Sequence, residues 1–429
     1  MLALSFASAI LTGAVLLCLP FSTASPISFI DALFTSTSAV CVTGLVVVDT
    51  GTKYTLIGQC IVLILIQLGG LGIMTFSTLA VIYMGGSISF KFHLALREAL
   101  NRLSVANIIK IVKMIFLITV IIETIGAVIL TIRWAGDFPF LKALYLAVFH
   151  SISAFCNAGF SPFRDSLIKY YNDPLIVISF SSLIILGGIG FTVLIELTEY
   201  RHTKKLSLHS KVALTTTALL ILGGTIGILV VESFYNSPIY QNKSFWDMLQ
   251  ISFFQSVTSR TAGFNTINIA TMSTASLFLI IILMFIGASP GSTGGGIKTT
   301  TFGALMASLW AIARGRRDVQ FFRRRIPNEL LLRAYTIALI YFGLVASSTL
   351  LMLCAKDFGL LNSLFEVVSA AGTVGLSTGI TPQLTTAQKV FIIFTMFCGR
   401  VGPLTIAMVF ITTSRKETFR MPEENILIG

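Results

Sequence analysis

The chain has 429 residues, of which 55% are hydrophobic and 11% charged, and its mean hydropathy is +0.89. A soluble globular chain carries about 25% charged residues, so this composition excludes a water-covered surface and indicates a polytopic membrane protein. The 30 Lys and Arg against 18 Asp and Glu give a net charge of +12, which we attribute to basic cytoplasmic loops rather than to nucleic-acid binding.

Eight apolar runs approach the roughly 20 residues that a membrane-spanning helix needs. They lie near 2–19, 55–84, 108–132, 174–198, 211–233, 274–311, 331–354 and 386–413. We interpret the first run as a helix rather than a signal peptide, since it lacks a basic leading segment, and we expect the chain to begin inside this helix. The six cysteines form no CxxC pair, so the sequence predicts neither a disulfide framework nor a zinc site.

Taken in chain order, the eight apolar runs form four pairs. Between the two runs of each pair lies a weaker apolar stretch, which leads into a short segment that contains glycine. These four glycine segments are CVTGL at 41–45, CNAGF at 156–160, RTAGF at 260–264 and TVGLS at 373–377. Their glycines are separated by 115, 104 and 112 residues, and ten residues before them lie Phe34, Phe149, Phe253 and Phe365. Glycine-rich breaks follow at QLGGLG (67–72), LGGIG (186–190), IGASPGSTGGG (286–296) and CGRVG (398–402). Such a fixed period predicts a fourfold internal repeat.

The predicted fold is an all-α membrane protein of four tandem helix–pore helix–filter–helix repeats, with eight transmembrane helices around a pseudo-fourfold pore. The repeats are expected at 1–84, 85–200, 201–313 (with an interrupted second helix) and 314–413, followed by a C-terminal tail at 414–429. Nineteen of the 30 basic residues lie in the connections between repeats and in the tail, and nine, Arg260 among them, are assigned to the opposite side of the membrane. This bias predicts that both termini are cytoplasmic and that the glycine segments enter the membrane from outside.

Four non-helical segments at membrane depth are tolerated only where they are buried in protein or line a watery cavity. Glycine lets a backbone turn successive carbonyls to one side, and rings of carbonyls replace the hydration shell of an alkali cation. The segments contain no carboxylate, which argues against Ca²⁺ or Mg²⁺. The alternative, that the glycines only let helices pack closely, applies most to those at 69–72 and 187–190.

The third break cannot remain α-helical, because it places Pro290 and several glycines within a spanning run. It misses the phosphate-loop pattern, since Ile297 separates Gly296 from Lys298. We predict a flexible gate below the filter, with a kinked helix as the alternative. The predicted gate residues are Gly287, Ser289, Pro290, Gly291, Ser292, Thr293, Gly294, Gly295, Gly296, Lys298 and Arg400.

Arg400 is a charge at membrane depth, which we assign to the control of ion throughput, with a salt bridge to a carboxylate as the alternative. Lys298 either takes part in the gate or extends to the cytoplasmic face. Glu123 and Glu196 are expected to form internal hydrogen bonds. The basic run at 314–325 is interpreted as a topogenic loop, or else as a contact for an acidic partner or anionic membrane lipid.

These residues resemble the superfamily of Trk, Ktr and HKT K⁺ transporters, and within it the membrane subunits of bacterial Ktr systems. The resemblance covers essentially the whole chain. Its motifs are AVCVTGLVVVDTG (39–51), FHSISAFCNAGFS (149–161), SVTSRTAGFN (256–265), GTVGLSTGITP (372–382), the 286–301 loop, CGRVGPLT (398–405) and the tail EENILIG.

The resemblance implies a homodimer with one pore in each protomer and a dimer contact near Gly429. It also implies a cytosolic KtrA-like ring of RCK-type subunits that binds ATP or ADP and controls the gate. Na⁺ is expected as an activator, and no organic cofactor is expected on this chain. A single glycine in each filter segment implies fewer ordered ion sites and weaker selectivity than in tetrameric K⁺ channels.

The sequence therefore predicts a K⁺-uptake subunit of a bacterial plasma membrane. The predicted K⁺ ligands are the carbonyls of Val42, Thr43, Gly44, Asn157, Ala158, Gly159, Thr261, Ala262, Gly263, Thr373, Val374 and Gly375. A coupled carrier of a small solute is the first alternative, which the fourfold repeat disfavours. An intramembrane hydrolase is the second, and no triad or metal spacing among the four histidines supports it.

Overall fold

The protein is described by a computed structural model, which covers residues 2–72, 108–316 and 318–402. The tail at 414–429, the dimer contact expected near Gly429 and the 73–84 end of the second apolar run lie outside these ranges. The described residues form fifteen α-helices and one two-stranded hairpin.

The helices follow one another in four groups of similar order. The first group contains α1 (Leu2–Cys18), α2 (Phe29–Val40), α3 (Thr50–Lys53) and α4 (Leu56–Leu71). The second contains α5 (Ile108–Trp134), α6 (Phe140–Phe155), α7 (Pro174–Gly188) and α8 (Phe191–Thr203). The third contains α9 (Leu208–Phe234), α10 (Phe245–Thr258), α11 (Thr274–Phe285) and α12 (Thr299–Ala313). The fourth contains α13 (Asn328–Ala355), α14 (Leu360–Gly372) and α15 (Thr386–Val401).

In each group a glycine segment follows the short helix, which is α2, α6, α10 or α14. Side-chain caps fix where several of these helices begin. Ser28 accepts a hydrogen bond from the Asp31 N–H at the start of α2. Ser244 and Asp247 form a capping box that starts α10. Such caps satisfy the first N–H groups of a helix, which have no partner within it.

Among the described residues, three helices are long and apolar enough to cross a membrane, namely residues Ile111–Trp134 of α5, and the whole of α9 and α13. They expose large apolar side chains, such as Leu219 and Leu339, as expected for surfaces in contact with lipid. A fourth span is broken, because α7 and α8 meet at an angle of 100°. The bend lies in the predicted LGGIG break, where Gly190 has a φ of 95°.

Among the described residues, the third break contains more non-helical residues than the second break at 189–190. The prediction that the third break is not helical is confirmed. Helix α11 ends at Phe285 and α12 begins at Thr299, so 13 residues (286–298) form a loop between them. A parallel bridge between Ile286 and Ile297 closes the base of this loop.

One sequence equivalence is wrong by a single residue. Phe34 and Phe149 are fully buried, and each lies two residues before a serine (Ser36 or Ser151) whose Oγ donates to the preceding long helix. In the third group the corresponding serine is Ser256, which donates to Ile221 O at 2.8 Å. The equivalent phenylalanine is therefore the buried Phe254, not the predicted Phe253.

The basic run at 314–325 contains a hairpin rather than only a loop. Strands β1 (Gln320–Phe321) and β2 (Arg324–Arg325) pair antiparallel across Phe322 and Arg323. Both turn residues have positive φ, 48° and 60°, as a two-residue type I′ turn requires.

The fourth group packs back onto the first. Helix α15 contacts α2, and Lys389 Nζ lies 2.6 Å from Asp31 Oδ1. Both side chains of this ion pair are mostly buried, with 15% and 19% of their surface exposed. The four groups therefore close into a ring.

Candidate ion-conduction site

The glycines of the four glycine segments, Gly44, Gly159, Gly263 and Gly375, lie close to one another. A Cβ atom added to any of them would collide with the backbone of the next glycine segment. The contacts run from Gly44 to Ala158 O, from Gly159 to Ala262 O, from Gly263 to Val374 O and from Gly375 to Thr43 O. The last contact returns to the first segment, so the four segments surround one axis in chain order.

The four segments share an unusual backbone conformation. Each glycine has a positive φ, between 70° and 91°, and so does the residue two positions before it. These preceding residues are Val42, Asn157, Thr261 and Thr373, with φ between 51° and 73°. When residues with positive and negative φ alternate, successive peptide groups point to the same side of the backbone. In a β-strand they point to opposite sides.

The N–H groups of the segments point away from the axis. Thr43 N donates to Ser38 O at 2.7 Å, and Ala158 N and Val374 N make the equivalent bonds at 2.8 Å. Within the described ranges, none of the twelve predicted ligand carbonyls accepts a hydrogen bond from the protein. These oxygens are therefore available to a ligand, since buried carbonyls normally have a partner.

A cavity of about 400 Å³ adjoins the ring on the side of the residues that follow the glycines. All four glycines line it, so it leads directly to the ring. Two carboxylates and one arginine also lie in its wall, namely Asp49, Asp165 and Arg164. The glycine segments themselves contain no carboxylate, whereas the cavity that leads to them does.

The 286–298 loop covers the opposite side of the ring. A Cβ on Gly294 would collide with the Thr261 side chain, and one on Gly295 would collide with Thr373. Both threonines belong to glycine segments, and the Thr373 hydroxyl is buried without a hydrogen-bond partner among the described residues. The loop therefore lies directly against the ring, and its glycines make this close approach sterically possible.

Helix α7 holds the middle of the loop. Ser289 N donates to Gly188 O at 2.9 Å, and Thr293 N donates to Gly187 O at 3.3 Å. The Thr293 hydroxyl lies 3.2 Å from Phe155 O, at the end of α6. The carbonyls of Gly187 and Gly188 are accessible because α7 ends at Gly188, and Phe155 O is accessible because α6 ends at Phe155.

The remaining predicted gate residues also lie within this loop. Ser289 Oγ is 2.8 Å from Thr299 Oγ1, and Ser292 Oγ donates to Ser289 O at 2.6 Å. Pro290 O lies against Gly190, and Gly291 and Gly296 adopt positive φ. Gly287 N donates to Ile297 O at 2.9 Å.

Both predicted gate cations contact backbone carbonyls. Lys298 Nζ turns back onto the loop and donates to Gly294 O at 2.6 Å, rather than extending away from it. Arg400 donates to Thr293 O and to Gly69 O. No carboxylate lies within ion-pair distance of Arg400 in the part of the chain that the structure describes.

Some of the glycines that follow the segments serve helix packing. A Cβ on Gly69 would collide with Val40 O, and one on Gly187 would collide with Phe155 O. Gly399 has the same relation to Ala371 O. These three contacts agree with the close-packing interpretation of the breaks.

Sequence reasoning missed Glu366, which is fully buried in α14. Its carboxylate accepts hydrogen bonds from the hydroxyls of Ser377, at 2.8 Å, and Thr381. Both hydroxyl residues line the cavity beyond the fourth glycine segment. The available signal was a lone carboxylate in an apolar stretch too short to span a membrane.

Two predictions about other charges can be compared with the structure. Glu123 makes the expected internal hydrogen bond, accepting from Gln67 Nε2 at 3.2 Å. Arg260 was counted with the residues outside the membrane, but it is 6% exposed and lies behind the third glycine segment. That assignment is wrong, because the Arg260 side chain is buried against Thr217 on α9 and Gly287 O.

Comparison with known proteins gives matches that cover nearly the whole chain. The TrkH family, described as a cation transport protein, matches residues 6–420. The "Ktr system potassium uptake protein B" of Bacillus subtilis is 42% identical over 429 residues, covering all of this chain and 96% of that protein. The "Potassium/sodium uptake protein NtpJ" of Enterococcus hirae is 40% identical over 437 residues, with the same coverage. In fold, the crystal structure of the potassium transporter TrkH from Vibrio parahaemolyticus covers 96% of this chain with a TM-score of 0.75 and 20% identity.

Proposed function

Because the chain belongs to the TrkH family of cation transport proteins, we propose that it takes up K⁺ across the bacterial plasma membrane as the pore-forming subunit of a Ktr-type system. The family is one of transporters and not of enzymes. The observation that carries the proposal is the closed ring of four glycine segments, whose twelve carbonyl oxygens accept no hydrogen bond from the residues that the structure describes.

In this proposal a K⁺ ion enters through the 400 Å³ cavity and loses its water to the carbonyl rings. Asp49 and Asp165 raise the local cation concentration at the mouth. The carbonyl dipoles suit a monovalent ion, since they carry only partial charges. The membrane potential drives uptake and contributes about 2.3 kcal/mol per charge per 100 mV.

The 286–298 loop acts as the gate. Support comes from its position against Thr261 and Thr373 and from its lack of helical structure between α11 and α12. Arg400 closes the same side of the pore by binding the loop and by placing a positive charge beside the cation path.

The assembly and its regulation belong to the same proposal. Two copies form a homodimer, and a cytosolic ring of RCK-type subunits that binds ATP or ADP moves the gate. Both termini are cytoplasmic. Na⁺ acts as an activator in this proposal, and the name of the Enterococcus relative, a potassium/sodium uptake protein, associates Na⁺ with that protein.

The test is ⁸⁶Rb⁺ flux into liposomes that hold the purified full chain, with and without the regulatory ring. We expect Rb⁺ uptake that excess K⁺ suppresses and that the ring and its nucleotide increase. Excess Na⁺ is expected to stimulate uptake, and parallel ²²Na⁺ measurements distinguish activation from cotransport. Absence of ⁸⁶Rb⁺ flux in the presence of the ring would reject the function.

A further inference from the structure

A buried arginine without a carboxylate joins the third glycine segment to the start of the 286–298 loop. Arg260 directly precedes Thr261, and its Nη2 donates to Gly287 O at 3.2 Å. Nη2 also lies 3.5 Å from the Thr217 hydroxyl on α9. The described residues place no acidic group within ion-pair distance of it.

This arginine breaks the fourfold pattern. Three residues before the filter glycine, the other segments carry Cys41, Cys156 and Gly372. Within residues 2–72, 108–316 and 318–402, the third group alone has an arginine at that position and, after its segment, a loop of 13 residues in the following helix. The charged side chain and the long loop therefore occur together in one quarter of the molecule.

The broken helix explains what the arginine binds. In a continuous helix, Gly287 O would accept from the N–H four residues later. Since α11 ends at Phe285, that partner is lost, and Gly287 is buried in the protein. Arg260 supplies the donor, and a charged donor forms the stronger class of hydrogen bond.

The second guanidinium nitrogen has space beside it. Nη1 is buried and has no protein partner among the described residues. A cavity of about 10 Å³ adjoins Arg260 and is lined by Gly188, Thr217 and Ala288. This volume accommodates one water molecule. Ala288 belongs to the 286–298 loop, so the cavity lies directly against the loop.

We propose that Arg260 is a positioning residue that fixes the upstream end of the gate loop, at Gly287, to the third glycine segment and thereby stabilises the closed loop. This inference rests on the proposed gate function of the loop. Opening of the loop then breaks the bond between Arg260 and Gly287 O together with the contacts of Ser289 and Thr293 with α7.

The first test measures loop position without transport. The exposed Cys60 and Cys354 are replaced by serine, and Ser292→Cys in the loop is labelled with a water-soluble thiol reagent in the full reconstituted chain. Loss of a buried hydrogen bond to a charged group shifts such an equilibrium on the order of tenfold. Arg260→Gln should therefore be labelled roughly tenfold faster than the parent.

Arg260→Lys separates charge from geometry, because lysine keeps the charge but lacks the planar guanidinium that holds Nη2 against Gly287 O. Its labelling rate should lie between those of the parent and Arg260→Gln. Arg133→Gln is the matched control. Arg133 lies at the end of α5, pairs with Asp173 and is far from the loop in the sequence. Its labelling rate should equal that of the parent.

The second test is ⁸⁶Rb⁺ flux without the regulatory ring. Arg260→Gln should raise the flux by a similar factor and leave the preference for K⁺ over Na⁺ unchanged.

Parent labelling rates in a folded Arg260→Gln variant would overturn the proposal, as would lost ion preference without faster labelling. If Arg260→Gln does not fold, the Lys variant decides, and parent behaviour of that variant overturns the proposal. If no protein carries Rb⁺ even with the ring, the transport function fails, while the labelling comparison still decides the role of Arg260.

Discussion

Arg400 on α15 donates a hydrogen bond to the carbonyl oxygen of Thr293, in a loop that belongs to a different quarter of the molecule. The same guanidinium also donates to Gly69 O on α4. One side chain thus connects the fourth, third and first groups just below the ring of glycines. Thr293 itself contacts α6 and α7, so the second group joins the same network.

We predict that Arg400→Gln increases ⁸⁶Rb⁺ flux by roughly three- to tenfold in the absence of the regulatory ring, because it frees the loop and removes a positive charge from the cation path. Arg400→Lys retains the charge but cannot reach two carbonyls in separate directions, so its flux should rise less. Equal flux in all three proteins would remove Arg400 from the gate.

We predict that Gly263→Ser lowers the preference for Rb⁺ over Na⁺ on the order of tenfold, which corresponds to about 1.4 kcal/mol at one ligand position. The added Cβ would lie 2.6 Å from Val374 O, at a φ of 78° that disfavours side chains. Gly223→Ser is the control, since no atom lies within 4 Å of a Cβ there. An unchanged flux ratio in folded Gly263→Ser protein would contradict the filter assignment.

We predict that Glu366→Gln lowers the free energy of unfolding by about 1–3 kcal/mol, because an amide cannot accept from both hydroxyls and presents donors to one of them. Thermal unfolding in detergent measures this loss. The exposed Glu329→Gln, in the first turn of α13, should cost only a few tenths of a kcal/mol. Similar losses at the two sites would show that the Glu366 hydrogen bonds contribute nothing special.

We predict a coupling energy of about 1–3 kcal/mol between Asp31 and Lys389, measured by a double-mutant cycle with Asp31→Asn and Lys389→Met. Burial strengthens this pair because little water screens it. The Asp318–Arg325 pair of the hairpin, with 45% and 62% of the side-chain surface exposed, is the control and should couple by less than about 1 kcal/mol. Equal coupling would mean that the contact between the first and fourth groups adds no extra stability.

Much of the architecture could be predicted because glycine spacing and apolar length are local properties of the sequence. The four glycine segments, the order of helices and the interruption near Pro290 are all visible in this way. The one-residue shift that makes Phe254 rather than Phe253 equivalent to Phe149 was not visible. It depends on how α10 packs against α9, and the Ser256 hydrogen bond to Ile221 O reveals it only in the structure.

Details of the site depended on contacts between residues that are far apart in the sequence, 27 positions for Arg260 and Gly287 and 107 positions for Arg400 and Thr293. The position of Arg260 illustrates this, because a basic residue next to a glycine segment suggests an exposed loop when charge alone is considered. Its actual acceptor, Gly287 O, exists only because α11 ends early. Likewise, nothing in the sequence around Arg400 indicates that Thr293 is its partner.

The contact of Gly375 with Thr43 completes the ring within a single polypeptide. A ring assembled from four identical chains changes at all four positions whenever its gene acquires one substitution. Here one substitution alters one quarter and leaves three intact. Natural variation can therefore adjust ion preference in quarter steps, and one quadrant can acquire a loop and an arginine without imposing them on the other three.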